Sequence, residues 1–236
     1  MRHSQCCRPT YLSHAVCLRP GRGNRVSLAA VGQNDLTGLP PERVGVLLVD
    51  FQNQFCHPRA SGPGPVTNAA NAVAARRANA FAAEAARLGA QVIYTRQVLD
   101  PQQLTARQRH WDDQLGLCLK GSWEAGLFID PVPGSVIVTK PRFDVWQSRD
   151  FLGYLQDDPV DGFIIAGVEL RCCVLFAALG ADERGYRFVV PQDLASGLDT
   201  GDSTYNAAAR RLLTELYDAP DSTARLLETL RAEAGT

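Results

Sequence analysis

"GFIIAGVELRCCVLFAALGADERG", residues 162–185, reads as a buried strand, a sharp turn and a helix closed by a glycine. The run from Phe163 to Val168 is continuously apolar, as expected of a strand covered on both faces. The stretch 172–185 has helical length and composition and ends at Gly185, a residue suited to a helix C-terminus. The same alternation repeats on either side. "VGVLLVD" (44–50), "AQVIYTR" (90–96), "SVIVTK" (135–140) and "YRFVVPQD" (186–193) read as strands. "TNAANAVAARRANAFAAEAARLG" (67–89), with Thr67 as cap, "RDFLGYLQD" (149–157), "STYNAAARRLLTELYD" (203–218) and "DSTARLLETLRAEA" (221–234) read as helices. Apolar strands separated by helices predict a three-layer α/β/α sandwich around a mainly parallel, Rossmann-like sheet.

The chain has 236 residues, of which 45% are hydrophobic and 21% charged, with a net charge of −1. Those values suit one globular domain and argue against a nucleic-acid surface. No apolar run reaches the length of a membrane span. Seven cysteines without a CxxC pair point to reduced thiols in a cytoplasmic protein. The first 25 residues carry five Arg, three Cys and no acid. This composition fits a disordered tail or a start placed too far upstream, and faintly a transit peptide. Residues 1–40 are accordingly read as an extension and 41–236 as a single domain.

In parallel sheets of this kind, ligands sit beyond the carboxyl ends of the strands. The residues to examine are therefore Asp50, Arg96, Lys140, the 167–173 turn and Asp193. The Pro/Gly-rich "HPRASGPGP" (57–65) reads as a rim loop at the same edge. An acid, an ammonium and a thiol at a helix start make a coherent set for attack on a carbonyl carbon. The helix N-terminus and the ammonium favour thiolate, and the carboxylate accepts the thiol proton. Each residue also has an ordinary structural reading: a strand-ending acid, a solvated lysine and an inert core cysteine. Spacing alone leaves the two readings balanced.

"LLVDFQNQF" (47–55), "VTKPRFDVW" (138–146), "GVELRCCV" (167–174) and "KGSWEAGLF" (120–128) resemble, in order and spacing, the motifs of the isochorismatase-like cysteine hydrolase superfamily. In the family's turn the nucleophile lies six residues after the glycine, which is Cys173 and not Cys172. The resemblance implies a triad of Asp50, Lys140 and Cys173. It also implies an oxyanion hole from the N–H groups of Glu169 and Cys173, and a cis peptide between Val168 and Glu169. It implies hydrolysis of an amide or lactam C–N bond in a small-molecule substrate, with a homodimer or larger homo-oligomer, no nucleic-acid partner and no membrane partner. Isochorismatase-type vinyl-ether hydrolysis and a catalytically silent binding member are the alternatives. A receiver-type signalling module, suggested by "VTKP" (138–141), lacks the acidic pair and the middle-strand Asp.

Departures from the family pattern are Gln54 for the usual Asp, Leu170 for the turn Thr, and Phe143-Asp144-Val145-Trp146 after the lysine motif. Gln97, Val98 and Leu99 stand where nicotinamidases of the superfamily carry an Asp-x-His metal site, so no metal and no cofactor is expected. Phe55, Trp123, Phe143 and Trp146 are candidate pocket walls. Glu169 and Asp144 could attract a cationic group, and His57 could serve as a rim donor.

Overall fold

The computed structural model describes residues 35–60, 69–115, 117–197, 204–217 and 222–235. Five strands, β1 (Val44–Val49), β2 (Gln91–Gln97), β3 (Val136–Lys140), β4 (Gly162–Gly167) and β5 (Arg187–Val189), form one sheet in the order β3-β2-β1-β4-β5. All four pairings are parallel. The helices among the described residues are α1 (Asn53–Cys56), α2 (Ala69–Arg87), α3 (Ala106–Leu115), α4 (Arg149–Asp157), α5 (Leu175–Asp182), α6 (Tyr205–Tyr217) and α7 (Thr223–Ala234). A π-helical turn, Leu170–Val174, leads into α5.

Alternate strand residues point to opposite faces, and the two faces carry separate apolar cores. Val44, Val46 and Leu48 of β1 pack with Ala75, Ala78, Ala82 and Ala85 of α2 and with Leu226 and Leu230 of α7. The small side chains of α2 recur at helical spacing and leave its charged residues outward, while Asn71 is buried. Leu47 and Val49 face the other way, onto Phe151 of α4, Ala177 and Ala181 of α5 and Leu213 of α6. The sheet is thus covered on both sides, which explains why its strands read as unbroken apolar runs.

Three differences from the sequence expectation have physical causes. Leu36 and Leu39 are 2% and 7% exposed and join the α2-side core, so packed structure begins before residue 41. The strand expected over 186–193 is only Arg187–Val189 long. Pro191 lacks the N–H that a longer ladder requires. Helix α3 has no apolar stripe and so left no periodic signal. The Thr67 cap and residues 61–65 of the rim loop lie outside the described residues.

Strand order reverses at β1. From there the chain builds outward through β2 and β3, then returns to place β4 on the other side. The carboxyl ends of β1 and β4 therefore flank a topological switch point, where a crevice opens in sheets of this class.

Candidate active site

Immediately after β1 the backbone of Asp50 takes a left-handed conformation, φ 54°, uncommon for a residue with a Cβ. Its N–H donates to the carbonyl oxygen and to Oγ1 of Thr95, both at 3.2 Å. Thr95 Oγ1 in turn donates to Asp50 Oδ1 at 2.7 Å. The other carboxylate oxygen, Oδ2, lies 2.6 Å from Lys140 Nζ, and both side chains are wholly buried. Lys140 closes β3 in register with Gln97. Its side chain therefore passes over the end of β2 to reach the acid. Nζ also donates to the Arg142 carbonyl at 2.7 Å.

The third residue comes from the turn after β4. Gly167 has φ 149°, and a Cβ there would sit 2.4 Å from the Val49 carbonyl oxygen. Only glycine lets β4 press this closely on β1. The Val168–Glu169 peptide is cis. Most N–H groups of the turn have named acceptors. Val168 donates to Val49, Leu170 to Ser196, and Cys172 and Val174 to the Glu169 carbonyl. Arg171 donates to Asn206 Oδ1. Held this way, the π-helical turn carries Cys173 inward, 4% exposed. Cys172 lies half-buried at the margin of the same core. The adjacent thiols are thus unequal in place and surroundings.

The buried Cys173 thiol lies close enough to Asp50 and Lys140 to feel the charge of both. Burial pushes its ionisation well above the ordinary thiol value, the Lys140 charge pulls it down, and Asp50 pushes it up. Burial likewise opposes the Lys140 charge. The Asp50 carboxylate and Cys173 outweigh it and hold the ammonium above its usual value. At rest the lysine is thus held as the ammonium and the cysteine as the neutral thiol. An ionised cysteine needs somewhere to send its proton, and Asp50 is the acceptor beside it.

The remaining sequence-chosen residues divide. Trp146 is not a pocket wall. It is 3% exposed, its Nε1 donates to the Ala177 carbonyl at 3.0 Å, and it packs against Phe151, Phe163 and Tyr186. Gly180 of α5 makes room for it, since a Cβ there would meet the indole at 2.1 Å. Phe55 lies in the α2-side core, 5% exposed. Phe143 is partly covered by Phe176, and Trp123 is half exposed with its edge on His57 at 4.8 Å. Asp144 caps the turn Val145–Gln147 by accepting from the Trp146 N–H. Glu169 accepts from Asn71 Nδ2 at 3.1 Å. His57 accepts from the Arg59 N–H through Nδ1. Arg96 and Asp193 are exposed and stand apart from the trio.

Sequence reasoning missed a set of buried polar side chains at the same edge. Thr95 is the first. Gln52 donates to the carbonyls of Gln97 and Ala125 and accepts from the Gln97 N–H, each at 2.8 Å, tying β1, β2 and the 123–126 turn together. Gln97 Oε1 is buried with no hydrogen-bond partner among the described residues. Their signal was faint: polar letters closing otherwise apolar strands. No group of three or more His, Cys, Asp or Glu among the described residues is gathered closely enough to hold a metal ion.

Comparison with known proteins gives this arrangement a setting. A sequence model of the Isochorismatase domain matches residues 44–219. A cysteine hydrolase from Pseudomonas syringae pv. phaseolicola 1448A superposes with TM-score 0.70 at 21% identity, over 83% of this chain and 95% of that one. An N-carbamoylsarcosine amidase from Thermoplasma acidophilum gives 0.60 at 20% identity, over 77% and 96%. A nicotinamidase/pyrazinamidase from Acinetobacter baumanii gives 0.58 at 19% identity, over 79% and 99%. At these identities the likeness establishes a shared fold.

Proposed function

The chain belongs to the isochorismatase domain family, and within it we propose a cysteine hydrolase that cleaves an amide or lactam C–N bond of a small molecule. The observation that carries this reading is the wholly buried Asp50–Lys140 pair, 2.6 Å apart, with the buried Cys173 thiol within its electrostatic reach. A buried ion pair contributes little to stability. Its placement against a thiol at a topological switch point is what chemistry requires. The amidase and nicotinamidase among the structural neighbours support a C–N substrate.

Asp50 Oδ2 takes the thiol proton as Sγ attacks the carbonyl carbon. The N–H groups of Glu169 and Cys173 receive the developing oxyanion. The amine departs with the proton returned by Asp50, leaving a thioester. Water, giving a proton to Asp50, then hydrolyses the thioester and restores the thiol. Lys140 keeps its charge throughout, orienting the carboxylate and favouring the thiolate. No step calls on a cofactor.

The test is a panel of small amides and lactams offered to the native protein and to Cys173→Ala, with and without chelator. Loss of turnover in the folded variant is expected. Undiminished turnover overturns the reading, and pyruvate release from an isochorismate-like acid replaces amide cleavage with vinyl-ether cleavage. A cytoplasmic setting belongs to the same proposal, supported by four free thiols among the described residues. So does a homodimer or larger assembly, supported by the exposed Phe176 and Ile137; sedimentation measures it. No helix among the described residues is long and apolar enough to cross a membrane.

A further inference from the structure

We propose that Thr95 is a positioning residue that gives the two carboxylate oxygens of Asp50 different duties, reserving Oδ2 for the thiol proton. The inference rests on the proposed cysteine chemistry and adds a residue outside the Asp50, Lys140 and Cys173 trio.

Thr95 lies in β2 opposite Val49, one residue short of Asp50. Its hydroxyl has a single proton, and that proton goes to Asp50 Oδ1 at 2.7 Å. Thr95 Oγ1 and the Thr95 carbonyl oxygen both accept from the Asp50 N–H at 3.2 Å. Threonine is stiff about χ1 in a strand, and Thr95 is wholly buried, so the hydroxyl has a fixed direction. It grips both ends of a residue whose backbone is left-handed and therefore not settled by local preference. With Oδ1 occupied, Oδ2 is the oxygen turned toward Lys140, at 2.6 Å, and it is buried with no hydrogen-bond partner among the described residues, free to take a proton.

The titratable groups around Asp50 are Lys140 from β3, Cys173 from the π-helical turn and Cys118 from the loop after α3, with Cys172 and Glu124 behind the thiols. None of these replaces the hydroxyl at Oδ1. Removing it takes a donor from the charged carboxylate, which raises proton affinity, and it frees the side chain to rotate. Thr95→Val should therefore shift the acid limb of Cys173 reactivity to higher pH.

Alkylation of the native protein by iodoacetamide reads this without any substrate. The sulfur displaces iodide and forms one S–C bond, while its proton passes to Asp50. The rate is followed from pH 5 to 9, with the modified cysteine located by peptide mass. Thr95→Val is expected to lower the rate near neutrality by about tenfold to a hundredfold, the usual worth of a hydrogen bond to a charged group, and to move the acid limb upward. Thr95→Ser, which keeps the hydroxyl, is expected to restore the limb. Thr95→Ala must reproduce the shift if Val is poorly accommodated. An unmoved limb in both hydroxyl-free variants overturns the proposal. So does a Ser variant as impaired as Val, which would mark a packing role. If Cys173 in the native protein labels no faster than Cys172, the nucleophile assignment fails first and takes this inference with it.

Discussion

Val44 to Val49 of β1 are buried at every position and carry no polar side chain; the next three residues, Asp50, Phe51 and Gln52, are equally buried, and two of them are polar. β2 does the same, passing from Val92 and Ile93 to Thr95 and Gln97. β3 passes from Val138 to Lys140. The strand interiors are held by apolar area removed from water, about 25 cal/mol per Å². The edge consists of groups that lose hydration on burial and recover it only if every partner is in place. Interior substitutions should therefore weaken the protein in proportion to volume. Edge substitutions should act by leaving a partner stranded, or by removing chemistry without weakening the fold.

The sharpest division is expected at Cys173→Ala. Turnover should fall on the order of a thousandfold or more, as when a nucleophile is removed, with a near-native thermal midpoint. Next comes Lys140→Met, which leaves the Asp50 carboxylate buried without its cation. A destabilisation of about 3–5 kcal/mol is expected by denaturant titration. The double variant Asp50→Leu/Lys140→Met should recover native stability or exceed it while remaining inactive. A double variant no more stable than the single one would show that the edge, like the interior, is there to hold the fold. Phe163→Ala, in the interior, should also cost about 3–5 kcal/mol through the cavity it leaves, yet keep the pH profile of Cys173 labelling.

Smaller effects follow from the buried thiols. Burial, the main cause in each, holds Cys56, Cys118 and Cys173 above the ordinary thiol value. The folded state then keeps protons that the unfolded chain releases. Stability from these groups is complete below the unfolded value of about 8.5 and is lost progressively as pH rises toward the folded values. Thermal midpoints should decline above that pH, and less so in Cys56→Ala. Smallest of all, Cys172→Ala should alter turnover by no more than about twofold, the range of a substitution away from special features.

The interior was legible because a strand covered on both faces advertises itself as an apolar run, and an Ala-rich stripe advertises α2. Position alone brought Asp50, Lys140 and the 167–173 turn to one edge; the choice of these three as a set, and of Cys173 over Cys172, rested on the family resemblance. What stayed hidden is instructive. Thr95 reads as an ordinary β-branched strand residue, because a letter does not say whether a hydroxyl faces a carboxylate. Trp146 sits near the lysine motif in sequence, but side-chain direction after Lys140 is set by the turn that Asp144 caps, which sends the indole into the α5 core. Leu36 and Leu39 lie beside an Arg-rich stretch whose composition masked them.

The central place of β1 has a consequence for biosynthesis. β1 is flanked by β2, which follows soon after it in the chain, and by β4, which is translated only once β3 and α4 are complete. Until then one long, wholly apolar flank of β1 has nothing to pair with. From Val49 to the start of β4 at Gly162 the growing chain carries that edge unpaired, so slowing translation over this stretch should lengthen its exposure. Asp50 and Cys173 can meet only once β4 closes against β1 and the exposed edge disappears.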